Sequence, residues 1–159
     1  MKSILRSFAL VAFLNFNLFC SAAQSSQSFS AVDSFDSRAQ SLDVVTISND
    51  RGGYVIDYIM RVVELRDSKR AVRFAGRCDS ACTLLLGLPK DQTCLAPGAY
   101  FRFHAPSASS TVDAQLIERV MMSKYPNWVR LWIRNRGGLS EQIITMDFAY
   151  ASQFVRLCA

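Results

Sequence analysis

Residues 42–48, LDVVTIS, form a β-branched run, and residues 69–76, KRAVRFAG, form a second. Between them Ile56, Ile59, Met60 and Val63 recur at helical spacing, so residues 54–66 read as an amphipathic helix. Strand, helix and strand in that order constrain this chain more than any other feature. Two strands joined through a helix favour parallel pairing, and a parallel sheet needs helices packed on it. The junctions agree with this reading. NDRGG breaks the first strand before the helix, and the second strand ends at Gly76, inside the stretch GRCDSACT.

The pattern continues downstream. SACTLLLGL, from Ser80 onward, reads as a short, buried helix, and QTCLA as a short strand. AYFRFHA alternates, with Phe101 and Phe103 on one face and Tyr100, Arg102 and His104 on the other. Leu116, Ile117, Val120 and Met121 mark a helix over residues 112–124. Pro126 interrupts it. A Trp-containing helix then runs to Arg136, where Gly137 and Gly138 stop it, and Ser140 is placed to cap another short helix. The expected class is α/β with an at least partly parallel sheet. Ligands in such sheets gather beyond the carboxyl ends of the strands. Gly52-Gly53, Ser80 and His104 all fall at or just past those ends.

The first 23 residues read differently. Lys2 and Arg6 give a positive start, an apolar run from Phe8 to Phe19 is broken by Asn15 and Asn17, and Ser21 and Ala23 suit a signal peptidase. The run is short of the roughly 20 residues that span a bilayer. Residues 1–23 are therefore expected to be a secretory signal peptide, with no stable membrane insertion after cleavage. Residues 24–41, rich in Ser and Gln, read as a flexible leader, and residues 42–159 as one domain. The chain has 18 basic and 13 acidic residues; without Lys2 and Arg6 the balance is 16 against 13, a net of +3. So small and scattered an excess argues against nucleic acid as a partner.

Export, to the periplasm or beyond, governs the cysteines. Cys78, Cys82, Cys94 and Cys158 would remain after cleavage, and an even number in an oxidising compartment points to two disulfides. A Cys78–Cys82 bridge would close a very short loop, so pairings of these two with Cys94 and Cys158 are expected. A zinc site from Cys78, Cys82, Cys94 and His104 has an acceptable ligand count, but its spacing matches no common module. No metal and no cofactor is expected.

Ser80 sits at a strand-to-helix turn, where the following backbone N–H groups could hold an oxyanion. Its plain alternative is a helix N-cap. His104 is the chain's single histidine. On its strand it points away from the two phenylalanines, and imidazole is the usual base for a serine nucleophile. Gly52-Gly53 lets backbone approach a ligand closely or simply makes a tight turn. No Lys-Ser/Thr pair follows to suggest a phosphate site.

In order, ISNDRGG, AGRCDSACT and CLAPGAYFRFHAP resemble the proteolytic subunit of the Clp protease, within the Clp/crotonase fold, over about residues 43–150. That family has a strand ending in Ser-Pro-Gly-Gly, a Gly-x-Ala-Ala-Ser nucleophile turn, and a strand ending in His-Gln-Pro that carries the base. The resemblance implies a ββα superhelical core, here stapled by disulfides. It implies Ser80 as nucleophile, His104 as base, and the N–H groups of Gly53 and Ala81 as the oxyanion hole. GGLSEQI resembles the segment leading to the third triad member. Asp147 takes that place if one helical turn is deleted, and Tyr150 takes it in a gapless match. Cysteines replace small residues at 78 and 82, Arg51 replaces the proline, and the terminal segment is shortened. The family depends on an ATP-driven unfoldase, and an exported chain would have neither that partner nor ATP. The function implied is an ATP-independent serine hydrolase, a peptidase on short or unfolded chains, with homo-oligomerisation compatible. The alternative is a degenerate relative that binds a peptide or protein without turning it over.

Overall fold

A computed structural model describes residues 43–159. The expected signal peptide and leader lie outside the described residues. Strand β1 (Val45–Asp50), helix α1 (Val55–Asp67) and strand β2 (Val72–Asp79) form the expected parallel unit. Pairing runs from Val45↔Val72 to Asp50↔Cys78, with an irregularity between Ile47 and Asn49. Gly76 lies beside that irregularity because a Cβ there would meet the Ser48 carbonyl oxygen at 2.3 Å. Helix α1 lays Val62 and Leu65 on the core and leaves Ile56, Met60 and Val63 exposed.

β2 runs three residues past Gly76. It does so because strand β4 (Tyr100–Phe103) offers a second partner, pairing Arg77↔Tyr100, Cys78↔Phe101 and Asp79↔Arg102 in parallel. The first half of β2 pairs instead with the short strand β3 (Thr93–Leu95). Between β2 and β3 the chain makes a 3₁₀ helix, Ser80–Gly87, whose residues 81–86 are all buried. Helices α2 (Thr111–Lys124) and α3 (Asn127–Arg134) follow β4. The Ser110 hydroxyl caps α2 by accepting from the Asp113 N–H.

Ser140 does not cap a helix. Its hydroxyl accepts from the Gln142 N–H in a turn, and strand β5 (Ile144–Met146) follows, antiparallel to β4. The free edge of β4 supplies hydrogen bonds that a three-residue run could not signal by itself. A one-turn helix, α4 (Phe148–Ala151), comes next. The result is a mixed five-stranded sheet in the order β1-β2-β4-β5, with β3 also beside β2. Phe74 packs edge-on against Phe101, and Phe103 packs against Tyr125 and Trp132. No described helix is long and apolar enough to cross a membrane.

Two disulfides form, but with a different connectivity from the expected one: Cys78–Cys82 and Cys94–Cys158. The extension of β2 to Asp79 and the reversal at Ser80 bring the Cα atoms of Cys78 and Cys82 to 5.4 Å, an ordinary disulfide spacing. The short loop is therefore no obstacle. The C-terminal segment lies along β3: the Leu95 N–H donates to Arg156 and the Cys158 N–H donates to Leu95, both at 2.9 Å. That contact places Cys158 against Cys94. No thiolate among the four remains for zinc, and the two bridges agree with an oxidising compartment.

Candidate active site

The site begins at the turn from β2 into the 3₁₀ helix. Ser80 has φ +53°, a left-handed conformation that a side chain other than glycine adopts at a cost of about 1–2 kcal/mol. Several contacts hold it there. The Cys78–Cys82 bridge closes across it. The Thr83 hydroxyl donates to the Ser80 carbonyl at 2.6 Å and also meets the Tyr125 hydroxyl at 2.6 Å. Burial pushes the Tyr125 phenol well above its usual range, so this pair stays protonated. Ser80 is not the N-cap; Asp79 occupies that position.

The β1–α1 turn presses on the same place. Gly52, at φ +78°, has no room for a side chain: a Cβ would lie 2.6 Å from the Asp79 carbonyl and 2.9 Å from the Ala81 nitrogen. The two glycines therefore divide the work. Gly52 lets the turn seat on the serine elbow, and Gly53 lines the open space in front of it. Ala81 lies in the first turn of the 3₁₀ helix, where N–H groups lack an intrahelical partner.

His104 follows β4 directly. Its Nδ1–H donates to the Ala105 carbonyl at 2.7 Å. A carbonyl can only accept, so the neutral ring carries its proton on Nδ1 and keeps a lone pair on Nε2. Ser80, His104 and Gly53 line one cavity of about 580 Å³. Among the described residues no direct hydrogen bond joins Ser80 to His104; the cavity brings them together.

Asp147 and Tyr150 are not part of this arrangement. The antiparallel register pairs Phe103 with Ile144 and Phe101 with Met146. Continued at each end, it sets His104 opposite Ile143 and Asp147 opposite Tyr100. Four residues at about 3.4 Å each separate Asp147 from the imidazole along the strand. The Asp147 carboxylate is exposed and accepts from the Tyr150 N–H at 2.8 Å, capping α4. Tyr150 packs on Trp132 and Phe154. The segment expected to bring the third member to the histidine instead forms β5, which carries Asp147 toward the Tyr100 end of β4, while Tyr150 in α4 packs among aromatic rings and does not line the cavity. The Ala105 carbonyl takes the Nδ1 proton that a carboxylate was expected to accept.

Two ion-paired aspartates brace the site, and sequence reasoning passed over both. Asp50 closes β1: it accepts from the Gly52 N–H at 2.9 Å and from the Tyr58 hydroxyl, and pairs with Arg61 at 3.3 Å. Burial and then the Asp50 hydrogen bond push the Tyr58 phenol up to about 12. Asp79 closes β2 and is 5% exposed. Arg102 grips it with two N–H groups, one at 2.8 Å, and Arg77 donates as well. Burial alone would raise the Asp79 carboxyl, but hydrogen bonds from Arg102 and then Arg77 outweigh it and hold the carboxyl below its usual range. The available signal was an aspartate at the last position of β1 and of β2, directly ahead of a turn that lines the cavity.

Comparison with models of known protein families finds no match, and comparison with curated proteins finds none either.

Proposed function

We propose that this chain is an exported, ATP-independent serine hydrolase of the Clp/crotonase type, with Ser80 as nucleophile and His104 as base. One observation carries the reading: a serine in a left-handed strand-to-helix elbow shares a cavity with a histidine whose Nε2 is free to accept a proton. Ser80 Oγ attacks the acyl carbonyl while its proton passes to His104 Nε2. The N–H groups of Gly53 and Ala81 are the candidates to hold the oxyanion. The leaving group departs with the proton from Nε2, giving an acyl-serine. Water then attacks the acyl carbon, its proton goes to Nε2, and Ser80 recovers a proton as the carboxylic acid leaves.

The Ala105 carbonyl fixes the histidine tautomer, which is one of the two tasks of a triad carboxylate. It carries no charge to stabilise the imidazolium, so turnover is expected to be slow beside a full triad. The lack of a carboxylate at His104 among the described residues also favours a second reading, in which the cleft binds a peptide or protein without turnover.

A fluorophosphonate probe and intact-mass detection separate the two. A single adduct on Ser80, lost in Ser80→Ala and strongly slowed in His104→Ala, supports catalysis. No adduct on the folded, oxidised protein returns the binding reading.

A further inference from the structure

The wall of the Ser80–His104 cavity indicates what enters it. Val55, Ile56 and Ile59 of α1 line it, as do Leu116, Ile117 and Val120 of α2. Both triplets follow the same i, i+1, i+4 spacing, so each helix contributes one aliphatic face to the same space. Among the described residues no Asp, Glu, Lys or Arg lines the cavity. The polar side chains that reach it are Tyr54, Ser80, His104 and Ser107. Ile56 is 62% exposed and Leu116 53% exposed, although both are large aliphatic residues beside a candidate nucleophile. A ligand that covers them removes apolar surface from water.

We propose that the acyl group this site accepts is an uncharged, straight aliphatic chain of medium length, presented as an ester. The proposal rests on the serine-hydrolase reading and narrows its substrate. Continuity with the reacting atoms argues for it: whatever fills the space between α1 and α2 lies against Ser80. An extended peptide there would bring several backbone amides that need hydrogen-bond partners, and aliphatic walls supply none. An alkyl chain makes no such demand. At a water-sized volume of about 30 Å³ per group, the cavity of about 580 Å³ has room for an octanoyl chain. The ester is cleaved through the same acyl-serine, with the alcohol taking the proton from His104 Nε2 and water supplying the oxygen of the released acid.

Two measurements on the oxidised protein test this. The first compares p-nitrophenyl acetate, butyrate and octanoate with an acyl-capped leucine p-nitroanilide. Each added methylene buried should raise kcat/KM by up to about fourfold, so octanoate, with six more than acetate, should exceed it by at least ~100-fold. Ile56→Asp and Leu116→Asp, both at exposed positions, should each cut the octanoate-to-acetate ratio by 10-fold or more. The second is calorimetric titration of Ser80→Ala with octanoate and acetate, which needs no turnover; octanoate should bind and acetate should not. Ester cleavage that depends on Ser80 but is flat with chain length overturns the acyl-chain proposal and leaves the hydrolase reading standing. Cleavage of the anilide in preference to octanoate does the same. An unreactive Ser80 together with no octanoate binding overturns both.

Discussion

Removing the two disulfides one at a time should separate stability from reactivity. The loop-closure model assigns the greater stabilisation to the longer loop. For Cys94–Cys158, with a sequence separation of 64, it gives about 4 kcal/mol; for Cys78–Cys82, with a separation of 4, about 2 kcal/mol. The first bridge ties the C-terminal segment to β3, and neither of its cysteines lines the cavity. The second spans the elbow that holds Ser80 at φ +53°. Cys94→Ala/Cys158→Ala should therefore lower the urea midpoint by about 2 M, taking a slope of ~2 kcal/mol/M, while Ser80 still reacts with a fluorophosphonate at close to its original rate. Cys78→Ala/Cys82→Ala should shift the midpoint about half as far. It should slow labelling at least 10-fold, because Ser80 gains access to ordinary backbone conformations in which its hydroxyl no longer faces the cavity. Urea titration followed by tryptophan fluorescence, alongside labelling rates at one pH, gives both numbers. If the long bridge controls labelling and the short one does not, the Cys78–Cys82 bridge is not what holds Ser80 in its reactive conformation.

Three further outcomes follow from the site. Gly52→Ala should cost about 1–3 kcal/mol and suppress labelling of Ser80, since the added Cβ meets the Asp79 carbonyl at 2.6 Å and the φ of +78° disfavours any side chain; thermal melts and labelling check it together. Asp147→Ala should lower stability by about 1 kcal/mol through loss of the α4 cap and leave labelling unchanged, whereas an orienting role at His104 would make the same variant unreactive. The Asp79 carboxyl is depressed in the folded state, so its contribution is fully present above the unfolded value of about 4 and is lost as pH falls below that. Urea midpoints from pH 6 down to pH 3 should fall more steeply for the original chain than for Asp79→Asn; equal slopes would show that the Arg77–Asp79–Arg102 cluster carries no such linkage.

The parts legible in the sequence are those set by local pattern. The α1 apolar spacing, the two-residue alternation of β4 and the glycines after β1 each announce an element through the geometry of a few neighbouring residues. The α/β class and the meeting of Ser80 with His104 at the strand ends follow from that order, because a parallel sheet sends the chain to the same edge after every strand. Three features were beyond such reasoning, and each depends on pairing between distant segments. β2 reaches Asp79 only because β4 lies beside it, and that extension brings Cys78 within bonding distance of Cys82. β5 is three residues long and exists through the free edge of β4, so no apolar period marks it. The resemblance at GGLSEQI, with one helical turn deleted, implies Asp147 as a partner for His104. Once that segment is antiparallel to β4, each residue added toward the C-terminus moves it farther from the imidazole. An acid able to reach His104 would therefore have to lie before Ile144, on the side of the turn where the Ser140 carbonyl accepts the Ala105 N–H. Glu141 lies there, but its side chain is exposed and makes no hydrogen bond or ion pair with His104 among the described residues, and the carbonyl of Ala105 does the orienting instead.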